Sequence, residues 1–291
     1  MDRCPAEICS EIYAFACVDD GRTGRALSLV SKYIRESSKP YKLQSISVIG
    51  YNQLLAFADL VENTPLHLRQ VKCIFLSAHP RSTASDPKAL TPEYARRQQA
   101  YAAVGRILKA ISSFVTIVHA FFVFYRPFPL LPVSLPALVE LTVHGPTETS
   151  IDIDENIQFK SLKHLHLSSF CSPFYIRSVS KLTPSLAHLR LSAPEHSVNF
   201  VLELKTILDN TESVLPPDLE RIFIHLPTQP KDNLMGMLDT YGSTVSALNS
   251  IASVHDRIIL LPPLRLGMFR TISIQDAEEA WSRSALGMTW W

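Results

Sequence analysis

Histidine is the residue of this sequence best placed to do chemistry. Five of the ten histidines, His144, His164, His166, His188 and His225, fall in or directly after segments where apolar residues alternate with others. Those segments are Leu138-Val-Glu-Leu141-Thr-Val143, Leu162-Lys-His-Leu165-His-Leu167, Leu186-Ala-His-Leu189-Arg-Leu191 and Leu219-Glu-Arg-Ile222-Phe-Ile224. In an extended strand, successive side chains point to opposite faces, so the residues between the apolar positions share one face. Set side by side they form three columns: Glu140, His164, His188 and Arg221; Thr142, His166, Arg190 and Phe223; His144, Ser168, Ser192 and His225. Imidazole, guanidinium and aromatic groups together suit the anchoring of a protein target, and acidification toward the histidine range would then alter binding. A straight ladder of neighbours ~4.8 Å apart does not bring three or four ligands to one point, so no metal site is expected. The plain alternative is a solvated polar face with no partner.

Motifs for catalysis are missing. The sequence has no G-x-S-x-G elbow, no G-x-x-x-x-G-K, no G-x-G-x-x-G and no H-E-x-x-H, and its 9 glycines leave little for a nucleotide loop. No catalytic residue and no cofactor is therefore expected, with an enzyme of unrecognised type as the remaining alternative. Asp152, Asp154 and Glu155 read as a solvated acidic loop with Glu148, and Arg96, Arg97, Arg106 and Lys109, with Tyr94 and Tyr101 among them, as a solvated helix face. The five cysteines (Cys4, Cys9, Cys17, Cys73, Cys171) form an odd set with no C-x-x-C pair. They read as reduced, mostly buried thiols of a cytoplasmic or nuclear protein.

The elements that must position the histidines are a periodic array. The four segments start 24, 24 and 33 residues apart. Leu43-Ile46-Val48, Val71-Ile74-Leu76 and Val118-Phe121-Val123 fit the same pattern less cleanly, and His255 to Leu260 matches only through Ile258 and Leu260. Parallel strands need a return crossover between them. Candidate helices supply it: Tyr51 to Val61, a run opened by Thr91-Pro92-Glu93 and reaching Ser112, His196 to Leu208, and Asp232 to Ile251 with Gly242 as a candidate break. This pattern resembles divergent leucine-rich repeats. The resemblance implies an α/β fold: an irregular solenoid with a parallel sheet on the concave face and helices on the convex face, spanning 41–270. Ser273 and Asp276 are spaced as a capping box and Gly287 as a stop, so 271–291 reads as a capping helix and tail. Trp281, Trp290 and Trp291 are expected to cover the last repeat.

Residues 1–40 do not fit the repeat. They read as short helices: Pro5 to Cys17, a turn at Asp19-Asp20-Gly21, then Thr23 to about Ser37. Ile8, Ile12 and Phe15 make one apolar stripe, and Leu27, Val30 and Ile34 a second. The runs Pro5-Ala6-Glu7-Ile8, Ile12-Tyr13 and Leu27-Ser28-Leu29-Val30-Ser31-Lys32 with Arg35 resemble the F-box-like modules that head many fungal repeat proteins. Cys4 stands where that family has Leu, and Ile34 where it has Trp. The resemblance implies a partner, the Skp-type adaptor of a Skp–cullin–F-box ubiquitin ligase, held through Pro5, Ile8, Ile12, Leu27, Val30 and Lys32. It implies a non-catalytic receptor whose concave face (His144, His164, His166, His188, Arg190, Arg221, Phe223, His225) holds a protein target. The alternative is a repeat scaffold whose helical hook is only a cap, with Pro5, Ile8 and Ile12 buried.

Composition sets outer bounds on these readings. Hydrophobic residues make up 46% and charged residues 19%, which excludes wholesale disorder. A net charge of +1 offers no field for nucleic acid or an anionic membrane, so neither is an expected partner. Met1-Asp2-Arg3-Cys4-Pro5 has no apolar run behind its charges, so no secretory signal is expected. Twenty prolines against 9 glycines disfavour tight hairpins and fit strands joined through longer connections.

Overall fold

Alternating apolar residues become parallel strands here because each strand leads into a helix or long connection that returns the chain to the start of the next. The computed structural model describes residues 4–81, 94–122, 128–129, 133–145, 147–148, 159–168, 180–193, 198–209, 215–230, 236–264 and 272–288. Thr91-Pro92-Glu93, Val123, Asp152, Asp154, Glu155, Cys171, Trp290 and Trp291, and the side chains of Tyr94, Arg97 and Glu148, lie outside the described residues. The fold is α/β, and the chain divides into two compact units. One comprises Met1–Phe121, Leu131–Leu138 and Ile274–Trp290; the other comprises Phe122–Leu130, Val139–Ser273 and Trp291.

The first unit opens with three short helices, α1 (Ala6–Ala16), α2 (Arg22–Val30) and α3 (Lys32–Ser38). Asp19 seeds α2: its carboxylate accepts from the Gly21 and Thr23 amides and the Thr23 hydroxyl, while Gly21 takes φ 88°. Ser31 is extended, ends α2 and caps α3 by accepting from the Ile34 amide at 3.2 Å. Strands β1 (Ser45–Ile49), β2 (Cys73–Ser77) and β3 (Ile117–Phe121) follow, paired in parallel in that order. Between them run α4 (Tyr51–Asn63) and α5 (Tyr94–Ile111). Helix α4 buries Leu54, Phe57, Ala58 and Val61, the 3–4 spacing of one helical stripe.

The second unit carries five parallel strands, each paired with the next in sequence. They are β4 (Glu140–His144), β5 (His164–Ser168), β6 (His188–Ser192), β7 (Arg221–His225) and β8 (Ile258–Leu261). Helices α6 (Val198–Asp209) and α7 (Met237–Val254) lie between β6 and β7 and between β7 and β8 in the chain. Gly242 does not break α7, which runs through it. Register is set by the apolar pattern. Leu141, Leu165, Leu189, Ile222 and Ile258 stand side by side, as do Val143, Leu167, Leu191, Ile224 and Leu260.

One hydrogen-bond device recurs ahead of the strands of both units. Two successive amides donate to a single carbonyl of the preceding segment: Lys72 and Cys73 to Gln44, Thr116 and Ile117 to Lys72, Lys163 and His164 to Val139, Ala187 and His188 to Lys163, Glu220 and Arg221 to Ala187. It corrects the third segment of the pattern. Ile74 pairs with Val118 and Leu76 with Ala120, so the unit is Val115-Val118-Ala120, not Val118-Phe121-Val123. The misreading arises because residues 114–124 are apolar at nearly every position, so alternation cannot choose a phase.

The last helix, α8 (Ile274–Ala285), ends at Gly287 with φ 73°. Trp281 was expected to cover the last strand. Instead it is fully buried in the first unit, its ring 6.1 Å from that of Phe75, and α8 packs on β2 and β3. Glu278 fixes the arrangement: it accepts from the Ser47 hydroxyl at 2.7 Å and from Arg81 through Nε at 3.1 Å and Nη2 at 2.5 Å. The strand face holding Ser47 and Phe75 is thus covered by α8.

Candidate functional site

Two groups of residues emerge, one on the helical hook and one on the strand face of the second unit.

On the hook, α1 presents two apolar stripes and only one is buried. Cys9 and Tyr13 pack with Ile34, supported by Cys4, Leu27 and Tyr41, and the Tyr13 and Tyr41 rings lie 6.3 Å apart. The Ile8, Ile12, Phe15 stripe faces outward, whereas the cap alternative has Ile8 and Ile12 buried. The reason is volume and shape. Tyr13 fills the space beside Ile34 with a large ring, and its hydroxyl accepts from the Ser37 hydroxyl at 3.2 Å. In the second stripe only Ile34 is buried; Leu27 is half-buried and Val30 is exposed. Pro5, Ile8, Ile12, Val30 and Lys32 are therefore all reachable from solvent, and so are Phe15, Leu29 and Tyr33, which are not among the expected adaptor contacts. Their signal was the plain excess of apolar residues over what one helix face can bury.

The strand face of the second unit differs from the open polar surface expected of it. Register aligns Glu140, His164, His188 and Arg221 in one column, and Thr142, His166, Arg190 and Phe223 in the next. His144 pairs with Ser168, and Ser192 with His225. Yet Glu140, Thr142, His144, His166, Ser168, Arg190 and His225 are buried, whereas His164, His188 and Phe223 are half-buried and Arg221 is exposed. The eight expected contact residues thus split into four that a macromolecule can reach and four (His144, His166, Arg190, His225) that it cannot.

The buried four are packed ring to ring. His144 and His166 meet edge-on at 5.5 Å, and His166 and His225 lie 6.3 Å apart. Arg190 Nε donates to His225 Nε2 at 2.8 Å, with Nη2 also against that nitrogen, while His225 Nδ1 lies 2.7 Å from the Pro262 carbonyl. Only one protonation state satisfies all three groups: the proton sits on Nδ1, donates to Pro262, and leaves Nε2 as acceptor. Burial, reinforced by the guanidinium, pushes His225 down to about 4 against the pull of the Pro262 carbonyl. Burial alone lowers Arg190 to about 9, so it stays cationic at neutral pH.

The reachable end is built on a histidine pair. His164 and His188 stack with centroids 5.0 Å apart and ring planes at 29°, their Nδ1 atoms 3.1 Å from each other. Burial and the neighbouring imidazole hold His164 below its ordinary value, partly offset by Glu140. Glu220, unremarked in the sequence pattern, places a carboxylate oxygen 3.5 Å from His188 Nε2.

Among the cysteines, Cys9, Cys17 and Cys73 are buried outside any disulfide and Cys4 is half-buried. Burial pushes Cys17 up to about 11, away from the thiolate form. No described helix is long and apolar enough to cross a membrane. Comparisons with family models, curated proteins and solved structures return no match.

Proposed function

We propose that the chain is a non-catalytic receptor, an F-box-like hook joined to a leucine-rich-repeat-like solenoid. In this reading the hook binds a Skp-type adaptor of a ubiquitin ligase and the strand face holds a protein target. One observation carries the first half: the hook leaves six large apolar side chains in water. Ile12 is 47% exposed, Phe15 85% and Leu29 81%, beside Ile8, Val30 and Tyr33. A helical cap exists to bury such residues, whereas a docking module keeps them outward until a partner covers them. The paired amide-to-carbonyl device supports the repeat reading, because it returns at five strand junctions in the same place relative to the apolar ladder. For the target, the reachable surface is His164, His188, Arg221 and Phe223. The receptor acts by proximity, raising the target's effective concentration at the ligase.

The test is a binding measurement between the full chain and a purified Skp-type adaptor. Capture of the adaptor by the wild-type chain and its loss in Ile12→Asp is the expected result. Because Ile12 is exposed, that variant should keep wild-type stability within about 0.5 kcal/mol. Absence of binding, or binding unchanged by the substitution, overturns the receptor reading and leaves the hook as part of a scaffold.

A further inference from the structure

The sequence pattern argues against a metal site because a straight ladder does not converge three ligands, and among the described residues no three His, Cys, Asp or Glu side chains do converge. Two in-register imidazoles are a different matter. His164 and His188 occupy paired positions on β5 and β6, and their Nδ1 atoms face each other across 3.1 Å. A cation at the usual ~2.0–2.1 Å from each nitrogen would subtend an angle of about 100° between them, within the range of tetrahedral and square-planar coordination.

The surroundings favour that use. Glu220 sits 3.5 Å from Nε2 of His188, the ring nitrogen that does not face His164. A carboxylate there draws the proton to Nε2 and turns the Nδ1 lone pair toward the shared point, the arrangement by which second-layer carboxylates orient metal-bound histidine. Phe223 stands edge-on to the His188 ring at 5.9 Å and restricts its rotation. Both imidazoles are half-buried, so solvent can reach the site. Glu140, beside His164 in the register, adds negative charge, while Arg221 beside His188 opposes it.

We infer that His164 and His188 form a two-histidine site for a borderline divalent transition cation of the zinc class, with water filling the other positions. Without metal, one N–H lies between the two Nδ1 atoms. On binding, the cation replaces that proton, which moves to Nε2 of its own ring. Both imidazoles stay neutral, so no net proton is released above the histidine range. Two protein ligands make this an exchangeable site, not a closed structural one. The inference goes beyond the receptor reading, and either can fail alone.

Zinc titration of the full chain by calorimetry at neutral pH, with no adaptor present, tests it. One equivalent should bind to the wild type, with affinity reduced at least about tenfold in both His164→Gln and His188→Gln and unchanged in His255→Gln. The electron paramagnetic resonance spectrum of the Cu2+-loaded wild type should show two equivalent nitrogen ligands, a readout that does not depend on any variant folding. No zinc equivalent in the wild type, wild-type affinity in either site variant, an equal loss in His255→Gln, or fewer than two nitrogens on copper would each overturn the assignment.

Discussion

The neutral His225 locked between Arg190 and Pro262 makes a quantitative prediction about acid stability. In the folded chain this imidazole titrates at about 4, whereas an unfolded chain presents it at about 6.5. Its folded value is depressed, so its contribution is complete above about pH 6.5 and is lost as pH falls toward 4, where the unfolded state binds a proton the folded state refuses. Integrating over that window, the loss is about 2 kcal/mol by pH 5 and about 3 kcal/mol by pH 4. The perturbation is His225→Gln, whose amide oxygen can accept from Arg190 but cannot titrate. Amide hydrogen exchange of the β7 residues Ile222 and Ile224 in the full chain, corrected for intrinsic rates, reads the local opening free energy. Between about pH 7.5 and pH 5 the wild type should lose roughly 2 kcal/mol more than the variant. Other groups with depressed values, His164 among them, contribute to both proteins and cancel in the difference. Equal pH slopes in the two would show that His225 is not held neutral by its surroundings, and would refute the tautomer drawn from the three contacts.

Other consequences can be checked on the same protein. Trp281→Ala removes the largest fully buried side chain from the contact of α8 with β2 and β3, and urea unfolding should register about 3–5 kcal/mol of lost stability. Gly24→Ala should also destabilise, by about 1–3 kcal/mol, although such a change inside a helix ordinarily helps. A Cβ at this position would stand 2.6 Å from the Lys42 carbonyl oxygen and 2.9 Å from its Cα; a rise in melting temperature would contradict that close approach.

What the amino-acid sequence determined by itself is the periodic part of this protein. A spacing of apolar, two others, apolar, one other, apolar dictates which side chains enter the core. When it recurs, the parallel register follows, because a slip by one residue would turn every leucine outward. Hence Leu141, Leu165 and Leu189 could be aligned before any strand was seen. The turn between the first helices of the hook was legible for the same kind of reason, since Asp19 and Gly21 act on backbone groups within four residues of themselves, whereas the break at Ser31 inside the run from Thr23 to Ser37 was not. Where the local signal was degenerate, it could not decide which residues are buried. Residues 114–124 carry no alternation to set a phase, and α1 offers two apolar stripes of similar strength, so the choice of Cys9 and Tyr13 over Ile8 and Ile12 fell to the shape of the space beside Ile34.

Tertiary structure alone decided the remainder. The hydrogen bond between Ser47 and Glu278 joins residues 231 positions apart, and no period in the chain encodes that the last helix returns to the first strands. Alternation places His166, Arg190 and His225 on one face but is silent on whether water reaches it. Their burial, and with it the single proton arrangement of His225, depends on what packs above the sheet. Local patterns specify direction and spacing; which surface meets which is set by the packing of distant segments, and there the candidate chemistry of this chain was settled.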